Sequence, residues 1–189
     1  MHTNVVLVRH ALSIPPTADG PAELTRPLAG DGLQQALALV GTLTEPLPVA
    51  VWSSPYRRAV QTVQPTAQAL SLPIHTSWEL REWDDGLPYT DDWEQHYAHS
   101  WADPSYARPE GESLNQLTAR AVHAVRTLAD EHRGRVVLAA SHGTFIARAL
   151  SGFGMPADWR FWQRMPMPAI YRLRFADPST NPAVTGDCL

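Results

Sequence analysis

Residues 5–10 of the chain read Val-Val-Leu-Val-Arg-His, and residues 136–143 read Val-Val-Leu-Ala-Ala-Ser-His-Gly. Short apolar runs with this β-branched content are typical of buried strands in a parallel sheet. Both runs lead into a histidine, and ligands of open α/β sheets bind outside the carboxyl ends of the strands. We therefore predict that His10 and His142, with Arg9 beside the first, form a cationic site for an anion such as phosphate.

Strand and helix signals alternate along the rest of the chain. Ser53-Ser54-Pro55 predicts a helix start, with a serine N-cap and proline at the first helical position. Ser113 with Gln116 three residues later is a capping-box pattern. Apolar spacing predicts helices over about 33–43, 55–70, 114–132 and 143–150, and further strands over 49–52, 72–76 and 169–175, the last near a sheet edge. The alternation favours one α/β layered domain.

We expect that domain to cover residues 1–176. Residues 77–111 are predicted to form an irregular excursion over the sheet edge, on the substrate side, with one short helix around 92–98. Residues 177–189 are predicted to form a flexible tail. The excursion holds four tryptophans that either line a pocket or cover the sheet edge, namely Trp78, Trp83, Trp93 and Trp101.

Composition narrows the function classes. The net charge of −4 over 189 residues gives no support for nucleic-acid or membrane-surface binding. All fifteen basic residues are arginine, which excludes a Schiff-base or P-loop lysine. The single cysteine, Cys188, argues against a disulfide framework and a cysteine zinc site. With no signal-peptide pattern and no apolar run of membrane-spanning length, we expect a cytoplasmic protein.

Two further residues can complete phosphate chemistry at the predicted site. Arg58 lies in the first turn of the helix that follows the strand at 49–52, so it is expected over the same sheet edge. Two arginines can hold phosphoryl oxygens with forked hydrogen bonds, and an imidazole can attack phosphorus. Glu82, beside Trp83, is the candidate acid for the leaving oxygen, since desolvation there would raise its pKa.

In this order, these residues resemble the histidine phosphatase superfamily, also called phosphoglycerate-mutase-like. The resemblance covers roughly residues 4–152. It is carried by Arg9-His10, by Ser-Pro-Tyr-Arg-Arg-Ala-Val-Gln-Thr over 54–62, by Leu-Arg-Glu over 80–82 and by Ser-His-Gly over 141–143.

The resemblance implies a three-layer α/β/α sandwich with a mostly parallel central sheet. His10 would be the phosphorylated nucleophile, with Arg9, Arg58 and His142 forming the rest of the phosphate pocket. Glu82 would donate a proton to the leaving group and then activate water. Ser13, through its hydroxyl, and Gly143, at the start of the last helix, are further candidate substrate-binding residues. No metal and no cofactor are implied.

Three functions fit these residues. The first is a metal-independent phosphomonoesterase acting on a small phosphorylated metabolite through a phosphohistidine. The second is a phosphoglycerate-type mutase, although residues 77–111 are brief for the insertions that shield a phosphoenzyme from water. The third is a catalytically weak module that binds a phosphorylated ligand. Ala11, Leu12 and Pro16 replace residues usual in the family. Ala11 and Pro16 give the third function some weight, whereas retention of both histidines, both arginines and the glutamate argues against it.

Several other histidines and arginines are predicted to be surface residues and not part of a binding site. His96 and His99 lie one helical turn apart, but no further ligand completes a metal set, so we expect a surface pair. Arg57 is predicted to be solvated. A second anionic group could meet Arg26, Arg81 or Arg108, but ordinary surface charge is the favoured interpretation for all three.

Overall fold

A single mixed sheet forms the centre of the computed structural model, which describes residues 1–189. Its strands are β1 (Thr3–Arg9), β2 (Ala50–Ser53), β3 (Ile74–Thr76), β4 (Val136–Ser141), β5 (Ala169–Phe175) and β6 (Ala183–Gly186). Their order across the sheet is β3-β2-β4-β1-β5-β6. The first four run parallel, whereas β5 pairs antiparallel with both β1 and β6.

Seven α-helices surround the sheet. They are α1 (Gly30–Ala38), α2 (Val40–Leu43), α3 (Arg57–Leu70), α4 (Trp93–Ala102), α5 (Leu114–Glu131), α6 (Gly143–Gly152) and α7 (Trp159–Arg164), with one 3-10 turn at Trp78–Leu80. The predicted capping box starts α5: Gln116 N–H donates to Ser113 Oγ at 3.2 Å, and Ser113 N–H donates to Gln116 Oε1 at 2.7 Å. None of these helices is both long and apolar enough to cross a membrane.

The sheet separates two apolar cores, which confirms the three-layer sandwich. Along β1, Val5 and Leu7 join the larger core with residues of α5 and α6, whereas Val6 and Val8 join the smaller core with residues of α3. Successive side chains of a strand point to opposite faces, so an uninterrupted apolar run is what a doubly covered strand requires.

Two predictions about the ends of elements are wrong. Helix α3 begins at Arg57, and its N-cap position, Tyr56, makes no side-chain cap. Ser54 Oγ accepts from Tyr56 N–H at 3.3 Å, before the helix begins, and contacts His142 Nε2 at 2.8 Å. The structure therefore uses this serine at the sheet edge, and Pro55 lies in the turn before the helix.

Residues 177–189, predicted as a flexible tail, contain β6. This strand pairs with β5, and its Val184 packs against the larger core. Asp187 Oδ2 also accepts a hydrogen bond from Ile170 N–H at 2.7 Å. The sheet therefore continues past residue 176, and β5, predicted near an edge, is the strand next to the edge.

Candidate active site

The ends of two adjacent parallel strands and one helix bring the predicted cationic residues together. Arg9 and Ser141 are register partners in β1 and β4, so His10 and His142 leave the sheet at the same level. Their ring centroids lie 5.3 Å apart, and Arg58 reaches His10 from the first turn of α3. The neighbouring Arg57 is exposed, as predicted, while Arg58 is 2% exposed.

The hydrogen bonds of His10 determine its tautomer. Nδ1 lies 2.8 Å from the Ala11 carbonyl oxygen, which can only accept, so Nδ1 carries the proton. Nε2 accepts from Arg58 Nε–H at 3.2 Å. Burial, and next the charge of Arg58, lower the pKa of His10 to about 3. His10 is therefore neutral near pH 7, with its Nε2 lone pair directed at a guanidinium.

Glu23 holds Arg58 from the loop before α1. Its carbonyl oxygen accepts from Arg58 Nη1 at 2.8 Å, and its carboxylate lies 3.1 Å from Arg58 Nη2. The same carboxylate accepts from Arg26 Nε and Nη2 at 2.8 and 2.9 Å. Desolvation acts to raise the pKa of Glu23, but hydrogen bonds from Arg26 and the charge of Arg58 outweigh it and hold the pKa below its usual value.

Arg26, predicted as ordinary surface charge, is 8% exposed and belongs to this cluster. Its Nη1 donates to Ser13 Oγ and to the Ile14 carbonyl oxygen, both at 2.7 Å. The prediction was wrong because the loop of residues 13–28 folds back on itself, through a bridge between Ser13 and Leu28. Arg81 and Arg108 lie elsewhere, and Arg108 donates to the carbonyl oxygens of Asp85 and His96.

His142 is completely buried between Ser54 and Tyr56. Its Nε2 lies 2.8 Å from Ser54 Oγ, and the Tyr56 ring meets it edge-on at a centroid distance of 4.9 Å. Its Nδ1 is buried and has no protein partner. Burial, reinforced by the charge of Arg58, lowers the pKa of His142 well below its usual value. The second histidine is therefore also neutral, and its Nδ1 is left without a protein partner.

Arg9 is held from the far side of the sheet edge. Its Nη1 donates to the carbonyl oxygens of Met165 and Pro166, which precede β5. A Cβ atom on Gly143 would lie 3.1 Å from the Arg9 guanidinium, so glycine is what allows this side chain to pack over the start of α6. Desolvation lowers the pKa of Arg9, and the Glu82 carboxylate opposes that effect.

Glu82 occupies the N-terminus of α6. Its Oε1 accepts from the N–H groups of Trp83 at 2.9 Å and Phe145 at 3.0 Å, and Oε2 accepts from Thr144 N–H at 3.2 Å. Gly143 was predicted to bind substrate at the start of this helix, but Glu82 accepts hydrogen bonds from the next two N–H groups. Desolvation raises the pKa of Glu82, although these N–H donors act in the opposite direction.

The loop that follows His10 is held by side chains that lie outside the charged cluster. The N–H of Ala11 donates to Thr62 Oγ1 at 2.9 Å, and the N–H of Leu12 donates to Gln35 Oε1 at 3.0 Å. A Cβ on Gly32 would lie 1.9 Å from the Leu12 carbonyl oxygen, which only glycine avoids. Ala11 is fully buried, whereas Pro16 is exposed and takes no part in these contacts.

The four tryptophans of residues 77–111 lie in different parts of the structure and have different contacts. Trp78 is 57% exposed and meets the Tyr56 ring at 6.5 Å, so it lies at the rim of the site. Trp83 is buried and donates from Nε1 to the Glu112 carbonyl oxygen at 2.7 Å, so it covers the sheet edge. Trp93 and Trp101 pack toward α7, against Trp162 and Trp159 respectively.

Two residues at the site went unrecognised in the sequence. Glu23 carries only a weak signal, its spacing of three residues from Arg26. Tyr56 lies within the matched motif, but nothing in the sequence shows that its ring contacts His142 and Arg58. His96 and His99 make separate contacts, with Asp92 and with Tyr106, and no group of three potential metal ligands is found.

Comparisons with known proteins agree with this fold. Residues 5–184 match the family model described as histidine phosphatase superfamily (branch 1). Bacillus stearothermophilus YhfR superposes with a TM-score of 0.81 and 25% identity, covering 99% of this chain and 98% of that one. Among curated protein sequences, none matches significantly.

Two more distant structures share the fold. The mycobacterial glucosyl-3-phosphoglycerate phosphatase has a TM-score of 0.77 at 20% identity, covering 99% of this chain and 98% of that one. The Entamoeba histolytica phosphoserine phosphatase, solved in complex with 3-phosphoglyceric acid, has a TM-score of 0.76 at 20% identity, covering 97% and 95%.

Proposed function

Because this chain belongs to the histidine phosphatase superfamily (branch 1), we propose that it hydrolyses small phosphate monoesters through a phosphohistidine formed at Nε2 of His10. The observation that carries the proposal is the state of His10. It is neutral, its proton is held on Nδ1 by the Ala11 carbonyl oxygen, and its Nε2 lone pair faces the Arg58 guanidinium. A nucleophile in this state needs no base to activate it.

Substrate binding uses the N–H donors around His10. Arg9 and Arg58 supply charged N–H groups to the phosphoryl oxygens, and Nδ1 of His142, when it carries the proton, supplies a neutral donor. As a phosphoryl oxygen accepts from Arg58, Nε–H no longer donates to His10 Nε2, and the lone pair becomes free to attack. The arginines supply the charge stabilisation that a metal ion gives in other phosphoryl transfers.

In the first chemical step, Nε2 forms a bond to phosphorus as the bond from phosphorus to the leaving oxygen breaks. Glu82, whose pKa is raised by desolvation, is the acid that gives a proton to that oxygen. Phosphorylation places positive charge on the imidazole, and the Nδ1–H bond to the Ala11 carbonyl oxygen stabilises it.

In the second step, water attacks phosphorus and the bond from phosphorus to Nε2 breaks. Glu82, now a carboxylate, takes a proton from the water, which restores both residues. The substrate class we propose is a small phosphorylated metabolite. Hydrolysis is favoured over mutase transfer because residues 77–111 add a single α-helix, α4, and no larger insertion that would keep water out of the site.

The first experiment measures phosphate release from a panel of phosphomonoesters that includes 3-phosphoglycerate, with EDTA present. We expect release by the wild-type protein, none by His10→Ala, and normal release by His123→Ala, a matched exposed histidine on α5. Loss of activity on adding EDTA would contradict the proposed metal-free mechanism.

A trapping experiment separates the alternatives. Rapid acid-free denaturation during turnover of a radiolabelled substrate should leave label on the wild-type protein and on His123→Ala, but not on His10→Ala. Label on His10 together with isomerised phosphoglycerate and little free phosphate would instead identify a mutase. Absence of both label and release would leave a phosphate-binding module.

A further inference from the structure

A groove away from the catalytic residues lies between α4, the C-terminal half of α6 and the segment that leads into α7. Its volume is about 480 Å³, and its walls include Trp101, Arg148, Trp159 and Arg160. Cavities that bind small molecules commonly have volumes of this order. None of the catalytic residues lines the groove.

Arg148, which lines this groove, is a largely buried cation without an anionic partner. It is 9% exposed, and its only hydrogen bond is from Nε to Thr118 Oγ1 at 2.8 Å. No carboxylate lies within ion-pair distance, and both Nη atoms lack a protein acceptor. Burial alone lowers the pKa of Arg148, with no compensating anion.

The other buried arginines show how unusual this is. Arg26 and Arg58 both bind the Glu23 carboxylate, and Arg9 lies in the pocket proposed for phosphate. Burying a charge without a partner is costly, so such groups in proteins are normally paired or serve a ligand. Arg148 is therefore the second buried arginine, after Arg9, whose guanidinium lacks a carboxylate.

The groove walls add aromatic surface and one more free donor. The Arg148 guanidinium carbon lies 5.5 Å from the Trp101 ring centroid, and Trp101 Nε1–H is buried without an acceptor. The Trp159 ring lies 6.0 Å from that of Trp101 and stacks on Trp162. Asp158 also lines the groove, but its carboxylate accepts from Phe161 N–H at 2.9 Å and does not pair with Arg148.

We propose that this groove is a second ligand site, which binds an oxyanion, carboxylate or phosphate, carried on a planar aromatic body. The Nη atoms of Arg148 and Nε1 of Trp101 would donate to the oxyanion, and Arg160 would add charge at the edge. The ring of the ligand would lie against Trp101 and Trp159, where aromatic contact and burial both contribute. The inference does not depend on the proposed catalytic function.

The test uses benzoate as the probe, with no inorganic phosphate added, because phosphate is itself one of the oxyanions proposed to bind Arg148. Calorimetric titration compares the wild-type protein with Arg148→Met, which keeps the side-chain length and removes the charge, and with Arg174→Met, an exposed control on β5. Because charged hydrogen bonds are involved, we expect Arg148→Met to bind benzoate about tenfold more weakly or worse, and Arg174→Met to match the wild type. Benzyl alcohol, which has the ring without the charge, should bind neither the wild-type protein nor the two variants.

A second measurement keeps the proposal testable if Arg148→Met does not fold. In the wild-type protein, the indole N–H resonance of Trp101, assigned with Trp101→Phe, should shift as benzoate is added, because Nε1–H gains an acceptor. The indole resonance of the exposed Trp78 should not move. Equal benzoate affinity in wild type and Arg148→Met, no binding to the wild type, or an unchanged Trp101 resonance would each overturn the proposal.

Discussion

Arg58 Nε–H donates to Nε2 of His10 across 3.2 Å, so the guanidinium proposed to hold the phosphate also covers the lone pair proposed to attack it. Glu23 fixes the other end of the same guanidinium through a carbonyl and a carboxylate oxygen. Phosphate binding and exposure of the nucleophile are thus coupled through a single side chain.

Replacing Arg58 should remove most of the activity. We expect Arg58→Met to lower kcat/KM by about 10²–10³, the usual loss when a donor that stabilises transition-state charge is removed. The control is Arg57→Met, which removes the same charge from the adjacent exposed position and should stay close to wild type. Equal losses in the two variants would show that net charge, and not contact with His10, matters.

Removing the charge of Glu23 should strengthen phosphate binding. The Glu23 carboxylate competes with phosphoryl oxygens for Arg58 and Arg26, so Glu23→Gln should lower the inhibition constant of inorganic phosphate by about tenfold. Asp19→Asn makes the same charge change at an exposed position of the same loop and should leave that constant unchanged. Weaker phosphate inhibition in Glu23→Gln would mean instead that Glu23 holds Arg58 in its binding position.

The role of Glu82 can be tested by comparing turnover of substrates with good and poor leaving groups. Glu82→Gln should slow alkyl phosphates by about 10²–10⁴ and p-nitrophenyl phosphate far less, since nitrophenolate needs little protonation. In the wild type, turnover of alkyl phosphates should fall as pH rises through the raised pKa of Glu82, because the donor loses its proton. Glu79→Gln, at an exposed site three residues earlier, is the control. Equal losses on both substrate types would argue against Glu82 as the acid.

His10 should make the fold sensitive to acid. Its folded pKa is about 3, below the unfolded value of 6.5, so below pH 6.5 the unfolded chain binds a proton that the folded protein does not. Stability is therefore lost as pH falls, by about 3 kcal/mol from this residue at about pH 4.5. Chemical denaturation of His10→Gln should show a pH dependence smaller by that amount, whereas exposed His123→Gln should behave as wild type. An unchanged slope in His10→Gln would contradict the low pKa.

Much of the fold could be predicted because its signals are local. The apolar run before Arg9 matches a strand covered on both faces, and the Ser113 capping box marks the start of α5 within one residue. The end of the chain could not be predicted in this way. Strand β6 has only four residues, and its stability comes from pairing with β5 and from packing of Val184, which are long-range contacts.

In the candidate site, too, residues placed by local patterns could be predicted, and residues placed by long-range contacts could not. Residues at strand ends and helix starts, such as His10, Arg58 and His142, were identified because their elements place them at one sheet edge. Glu23 and Arg26 lie in a loop, whose path depends on contacts with Ser13 and Arg58 that no local pattern encodes. The use of α6 N–H groups by Glu82 likewise depends on how residues 77–111 return to the sheet.

The anchoring of Arg9 by the carbonyl oxygens of Met165 and Pro166 affects the stage of folding at which the protein becomes active. A nascent chain that has reached residue 152 already carries every ionisable group proposed for catalysis, yet it lacks the backbone atoms that orient one of them. Competence for turnover should consequently appear late, once the segment before β5 has docked. Recovery of phosphate release after dilution from denaturant would then report the last stage of refolding, and ellipticity, which records helix formation, would recover sooner.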